Sequence, residues 1–133
     1  VTSVPPQQSD QRPCVLVVED DPAIRRLVEK LLGRQGIATK QARDGRIAID
    51  KLREGRFDVI ILDLMIPEAS GYEVIDFIKK EGITAPVVVV SAVSQQSLTK
   101  LDRDVVKLVI SKPFDVEDFT KAIVGLCRAA GSD

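Results

Sequence analysis

Apolar residues recur along the chain in two rhythms. Three short runs, Cys14-Val15-Leu16-Val17-Val18, Val59-Ile60-Ile61-Leu62 and Pro86-Val87-Val88-Val89-Val90, contain no alternating polar positions, which predicts strands buried on both faces. Two more, Ile37 to Ala42 and Val105 to Ile110, are interrupted by Thr39, Lys40 and Gln41 in one and by Lys107 in the other; they predict edge strands. Between the runs the spacing turns helical. Ile24, Leu27, Val28 and Leu31 fall at i, i+3, i+4 and i+7, predicting one inward face. Asp21-Pro22 opens this helix as cap and first helical residue, and Gly33 and Gly36 end it. Ile47, Ala48 and Leu52 follow Asp44-Gly45 and stop at Gly55, and Val74, Phe77 and Ile78 follow Ser70-Gly71. Phe119, Ala122, Ile123 and Leu126 follow Asp115, with Gly131 beyond the end. Residues 94–103 offer only Leu98 and Leu101 as inward positions and predict a fainter helix.

Five repeats of strand then helix imply an α/β fold, a five-stranded parallel sheet with helices on both faces. Strand polarity suggests the order: the first, third and fourth strands are central and the second and fifth are edges, giving 2-1-3-4-5. The topological switch point then falls between strands one and three, where the carboxyl ends of the strands form a crevice. Residues 1–13, with three prolines and little apolar bulk, read as a flexible linker or tail, residues 14–129 as the folded domain and 130–133 as a tail.

At 133 residues, 44% of them hydrophobic and 29% charged, the chain suffices for one globular domain. A net charge of -1 gives no long-range attraction to nucleic acid or anionic membrane. No signal-peptide pattern and no apolar run of about 18 residues occurs, so the expected location is the cytoplasm, with no membrane insertion. The absence of histidine excludes a Ser-His-Asp triad and the usual zinc constellations. Cys14 in a strand and Cys127 in a helical pattern read as reduced core thiols.

The predicted order brings Glu19, Asp20 and Asp63 into the crevice, with Ser91 beside Asp63 and Lys112 arriving from the edge. Three neighbouring carboxylates repel one another, which would raise their pKa values without a cation. A hard divalent ion fits, and Mg²⁺ fits better than Ca²⁺. Without Gly-x-Gly-x-x-Gly after strand one, and with acids in its place, dinucleotide binding is not expected. Taken singly, each residue has a plainer reading: Asp63 as a strand terminator, Glu19-Asp20 as a helix entry, Ser91 as a small turn residue and Lys112 as a solvated lysine.

Together, Val17-Val18-Glu19-Asp20-Asp21-Pro22, Leu62-Asp63-Leu64-Met65-Ile66-Pro67 with Gly71, Ser91-Ala92 and Lys112-Pro113-Phe114 resemble the response-regulator receiver domain of two-component signalling, similar to the chemotaxis receivers, over residues 14 to 129. The resemblance implies a flavodoxin-like fold and a signalling domain whose only catalysis is its own phosphorylation and dephosphorylation. It implies Asp63 as phosphoacceptor, Mg²⁺ held by Glu19, Asp20, Asp63 and the Met65 carbonyl, and Ser91 and Lys112 on the phosphoryl oxygens. The donor would be a histidine kinase or histidine phosphotransfer protein docking on the first helix, where Arg25 and Arg26 are expected to be exposed, and on the loop after strand five. The output partner or fused domain stays unnamed, with no direct nucleic-acid binding expected. Val109 stands at the switch position where the family often has an aromatic residue, and Met65 and Val93 stand at the positions that set the dephosphorylation rate; both are apolar, which favours slow decay. The alternatives are a phosphorylation-independent docking receiver and a Mg²⁺-dependent phosphohydrolase with an Asp nucleophile, whose usual second acid is replaced here by Met65.

Overall fold

The three unbroken apolar runs lie side by side in the middle of a parallel sheet. A computed structural model describes residues 12–92 and 98–131. Its strands are β1 (Cys14–Val18), β2 (Ala38–Ala42), β3 (Val59–Leu62), β4 (Val87–Ser91) and β5 (Val106–Ser111). They pair in the order β2-β1-β3-β4-β5, in parallel throughout. The helices among the described residues are α1 (Pro22–Gly33), α2 (Gly45–Glu54), α3 (Gly71–Lys80) and α4 (Val116–Gly131).

Alternation along the central strands explains why they lack polar positions. Leu16, Val18, Ile60, Leu62, Val87 and Val89 face Ala48, Leu52, Val74 and Ile78 of α2 and α3. Val15, Val17, Val59, Ile61, Val88 and Val90 face Val28, Leu32, Phe119 and Ile123 of α1 and α4. Each face is thus covered by a helical layer, and every position of these three strands is apolar except Ser91 at the carboxyl end of β4.

Helix starts follow the capping residues. The Asp21 side chain accepts from the Ala23 N–H at 2.9 Å, Asp44 from Ile47 at 2.8 Å and Asp115 from Asp118 at 2.9 Å. Ser70 and Glu73 form a reciprocal capping box, each satisfying one otherwise unpaired amide.

Three expectations change. Leu27 is 39% exposed; the buried stripe of α1 consists of Val28, Leu31 and Leu32, so Leu32 takes an inner place and Leu27 lies at the rim. α4 continues to Gly131, because an isolated glycine weakens a helix without ending it. On the same helix Cys127, not Leu126, completes the stripe begun by Phe119 and Ile123. Residues 93–97, which include Val93 and the start of the faint helix, lie outside the described residues; Leu101 is buried and Leu98 packs on the α2/α3 face. Neither Cys14 nor Cys127 forms a disulfide among the described residues. Among the described residues, no helix is long and apolar enough to cross a membrane.

Candidate functional site

Backbone ladders extend one residue past the strands and set the site's register. The Glu19 N–H donates to the Ala42 carbonyl at 3.0 Å, Asp63 to Val18 at 3.0 Å and Lys112 to Ser91 at 3.1 Å. These bonds deliver Glu19, Asp63, Ser91 and Lys112 to the carboxyl edge of adjacent strands, where the chain stops being apolar.

Asp63 is buried, at 6% exposure, yet both its oxygens are satisfied. Oδ1 accepts from the Met65 N–H at 3.0 Å and the Ser91 hydroxyl at 3.2 Å, and Oδ2 from the Lys112 ammonium at 2.8 Å. The same ammonium lies 2.7 Å from Glu19 Oε1, while Glu19 Oε2 accepts from the Asp21 N–H at 3.1 Å. The Lys112–Pro113 peptide is cis. Asp20 is exposed, and one ligand atom from each of Glu19, Asp20 and Asp63 lies within 4.8 Å of the others.

One ammonium therefore serves two buried carboxylates. Burial would lower the Lys112 pKa, but its bonds to Asp63 and Glu19 outweigh that and hold it above its ordinary value. Glu19 is pushed above the usual carboxylate range, by burial first; bonds from Lys112 and the Asp21 amide offset this only in part, and repulsion from Asp63 adds to it. The expected elevation is present at Glu19, with burial rather than mutual repulsion as its leading cause. The site has the charge and the oxygen ligands for a second, hard cation.

The loop after β3 is shaped by two glycines. A Cβ on Gly71 would lie 2.5 Å from Leu64 Cα and 2.7 Å from the Asp63 carbonyl oxygen, so only glycine lets α3 start against the site. A Cβ on Gly45 would lie 1.8 Å from the Ala69 carbonyl oxygen, and the Gly45 N–H donates to Pro67. Between these contacts Glu68 and Ala69 adopt φ of 62° and 100°.

Met65 projects into solvent, 67% exposed. Val109 is half-buried on β5 and lines a cavity of about 330 Å³ with Leu98, Thr99, Arg103 and Ser111. The expectation that Arg25 is exposed on the docking face does not hold, and its role beside the acidic pair was not foreseen. The residue is half-buried, and its Nη1 donates to the Glu19 carbonyl at 2.7 Å; its place in the first turn of α1, just past the acidic pair, was the available signal.

Residues 15–124 match the response regulator receiver domain family. The chain is 33% identical to the alkaline phosphatase synthesis transcriptional regulatory protein SphR of Synechococcus elongatus, over 97% of this chain and 52% of that one. It thus spans about half the length of that curated relative. The Francisella response regulator 1452 receiver domain superposes with a TM-score of 0.82 at 27% identity, covering 89% of this chain and 98% of the other. The response regulator TrrA of Thermotoga maritima, solved in complex with Mg(2+)-BeF, gives 0.77 at 28% identity, covering 86% and 98%. With five parallel strands in the family's order and its match over most of the sequence, the chain belongs to the response regulator receiver domain family.

Proposed function

We propose that this domain accepts a phosphoryl group on Asp63 from a histidine kinase or histidine phosphotransfer protein and signals through the resulting change in shape. The observation that carries the reading is the environment of Asp63: a buried carboxylate at a strand end, with a hydroxyl, an ammonium and two further acids around it. An Asp63 oxygen attacks phosphorus as the donor's P–N bond breaks, giving an acyl phosphate. Ser91 and Lys112, which hold Asp63 itself in this structure, turn onto the phosphoryl oxygens and compensate their charge.

Glu19, Asp20, Asp63 and the Met65 carbonyl would hold Mg²⁺, which supplies positive charge against the transferring oxygens. The fit is supported by carboxylate oxygens already within 4.8 Å of one another, the hard oxygen donors that such an ion prefers. A solved relative in complex with Mg(2+)-BeF adds support. Val109 is the switch position; a valine beside a cavity there stands in place of a ring.

The test is intact-mass measurement after incubation with a small phosphodonor and Mg²⁺. The expected result is one phosphoryl addition, labile to base and hydroxylamine, absent in Asp63→Asn and lost with chelator or in Asp20→Ala. Equal modification of Asp63→Asn would overturn the assignment.

A further inference from the structure

We infer that Arg25 is a positioning residue for the metal-binding pair Glu19-Asp20, an inference that rests on the Mg²⁺ site proposed above. The Glu19 carbonyl belongs to the peptide unit that joins Glu19 to Asp20. Because that unit is planar, fixing its oxygen fixes the plane from which Asp20 departs. Arg25 Nη1 donates to this oxygen at 2.7 Å. The Glu19 N–H is tied to Ala42, and the peptide unit on the other side of Asp20 is held by its Asp21 N–H on Glu19 Oε2. Among the described residues nothing hydrogen-bonds the Asp20 carboxylate, which is exposed on the cleft's rim. Its direction is therefore set by the backbone, and one face of that backbone is held by the guanidinium.

α1 makes the arrangement possible. Asp21 caps the helix, and the Arg25 N–H donates to the Asp21 carbonyl at 3.0 Å, which places residue 25 one turn into the helix with its side chain free to reach back over the cap. Arg26, the next residue, is exposed. Of these two neighbouring arginines, one serves the site from behind and the other faces water.

A cation here could have one of two roles, and they predict opposite signs. If Arg25 acted only as a nearby positive charge, it would repel Mg²⁺, and neutralising it would tighten binding. If it orients the ligands, neutralising it weakens binding, as loss of groups that orient metal ligands commonly does by about 10–100-fold.

The experiment is calorimetric titration of the unphosphorylated protein with Mg²⁺ alone, together with thermal melting in chelator. Arg25→Met, which keeps most of the stem but has no donor, is expected to weaken Mg²⁺ binding about tenfold, with little change in melting temperature when no metal is present. Arg25→Lys, which restores a donor and the charge, should recover part of the loss. If Arg25→Met does not fold, Arg25→Gln replaces it, with the same expected weakening because its amide falls short of the carbonyl. Unchanged or tighter binding overturns the proposal, as does weaker binding that merely follows a lowered melting temperature and is not recovered by lysine. A wild-type protein that binds no Mg²⁺ overturns the metal-site reading and this inference together; a wild type that binds, beside a neutral variant that binds equally well, overturns this inference alone.

Discussion

One ammonium at Lys112 neutralises parts of two acids, 2.7 Å from Glu19 and 2.8 Å from Asp63, so Lys112→Met would leave two buried carboxylates without their cation. The expected cost in chelator is ~3 kcal/mol, as for other half-broken buried pairs. Millimolar Mg²⁺ should return much of that stability, because the metal would take up the same negative charge. Melting with and without Mg²⁺ checks this; an equal loss in both would show that the two cations do not share the site. Cys127 is a second residue-scale case. Burial pushes its thiol from 9.0 up to about 11, with the Asp58 charge adding to the effect. A raised folded pKa means that the native state holds the proton more tightly, so this contribution to stability is whole below pH 9.0 and is lost as pH rises toward about 11. At pH 8 the native thiol should resist alkylation, and denaturant should expose it; rapid native labelling at Cys127 would contradict the burial argument.

At the scale of elements, the loop between β3 and α3 carries strain that the sequence did not reveal. Ala69 at φ 100° lies where side chains clash with their own backbone, at a cost of ~1–3 kcal/mol. Ala69→Gly should therefore stabilise the protein by about 1 kcal/mol after glycine's own entropy cost. Gly45→Ala should destabilise it by about 1–3 kcal/mol by forcing the loop off its seat. Chemical denaturation of both variants checks the two signs. The contrast with the rest of the fold is physical. Strands β1, β3 and β4 were legible because burial on both faces leaves no room for polar residues, and Asp21, Asp44, Ser70 and Asp115 marked helix starts because an unpaired amide needs an oxygen. Sheet order was legible from Thr39, Lys40, Gln41 and Lys107, which suit edge strands. Neither the role of Gly45 nor the Arg25 bond follows from such periodic signals, because each depends on what another segment brings near. Leu27 was misplaced because i, i+3, i+4 spacing defines a stripe but not the rotation of its centre, which Leu32 settles by lying inside. The acidic cleft could be assembled from strand ends alone. The sharing of Lys112 between Glu19 and Asp63 could not, since sequence gives no side-chain reach.

For the whole molecule, the question is where a protein phosphodonor would bind. α1 begins at Pro22, directly after the acidic pair, so its first turns flank the path that the proposed donor would take to Asp63. Along that helix Leu27 is exposed, and a groove of about 540 Å³ lies between α1 and α4, lined by Leu31, Val116 and Val124, with Arg34, Lys121 and Arg128 among its other lining residues. Arg25 is a poor probe of this face because its guanidinium is engaged on Glu19; Arg26 is exposed and suits the purpose. Charge reversal in Arg26→Glu should slow transfer from the partner on the order of tenfold at low salt, mainly through association, and the difference should shrink as salt rises. Phosphorylation by a small phosphodonor should stay at the wild-type rate, since that molecule needs no docking surface. If the small donor slowed equally, the substitution would be acting on the cleft; if neither donor slowed, phosphotransfer would not use the α1 face.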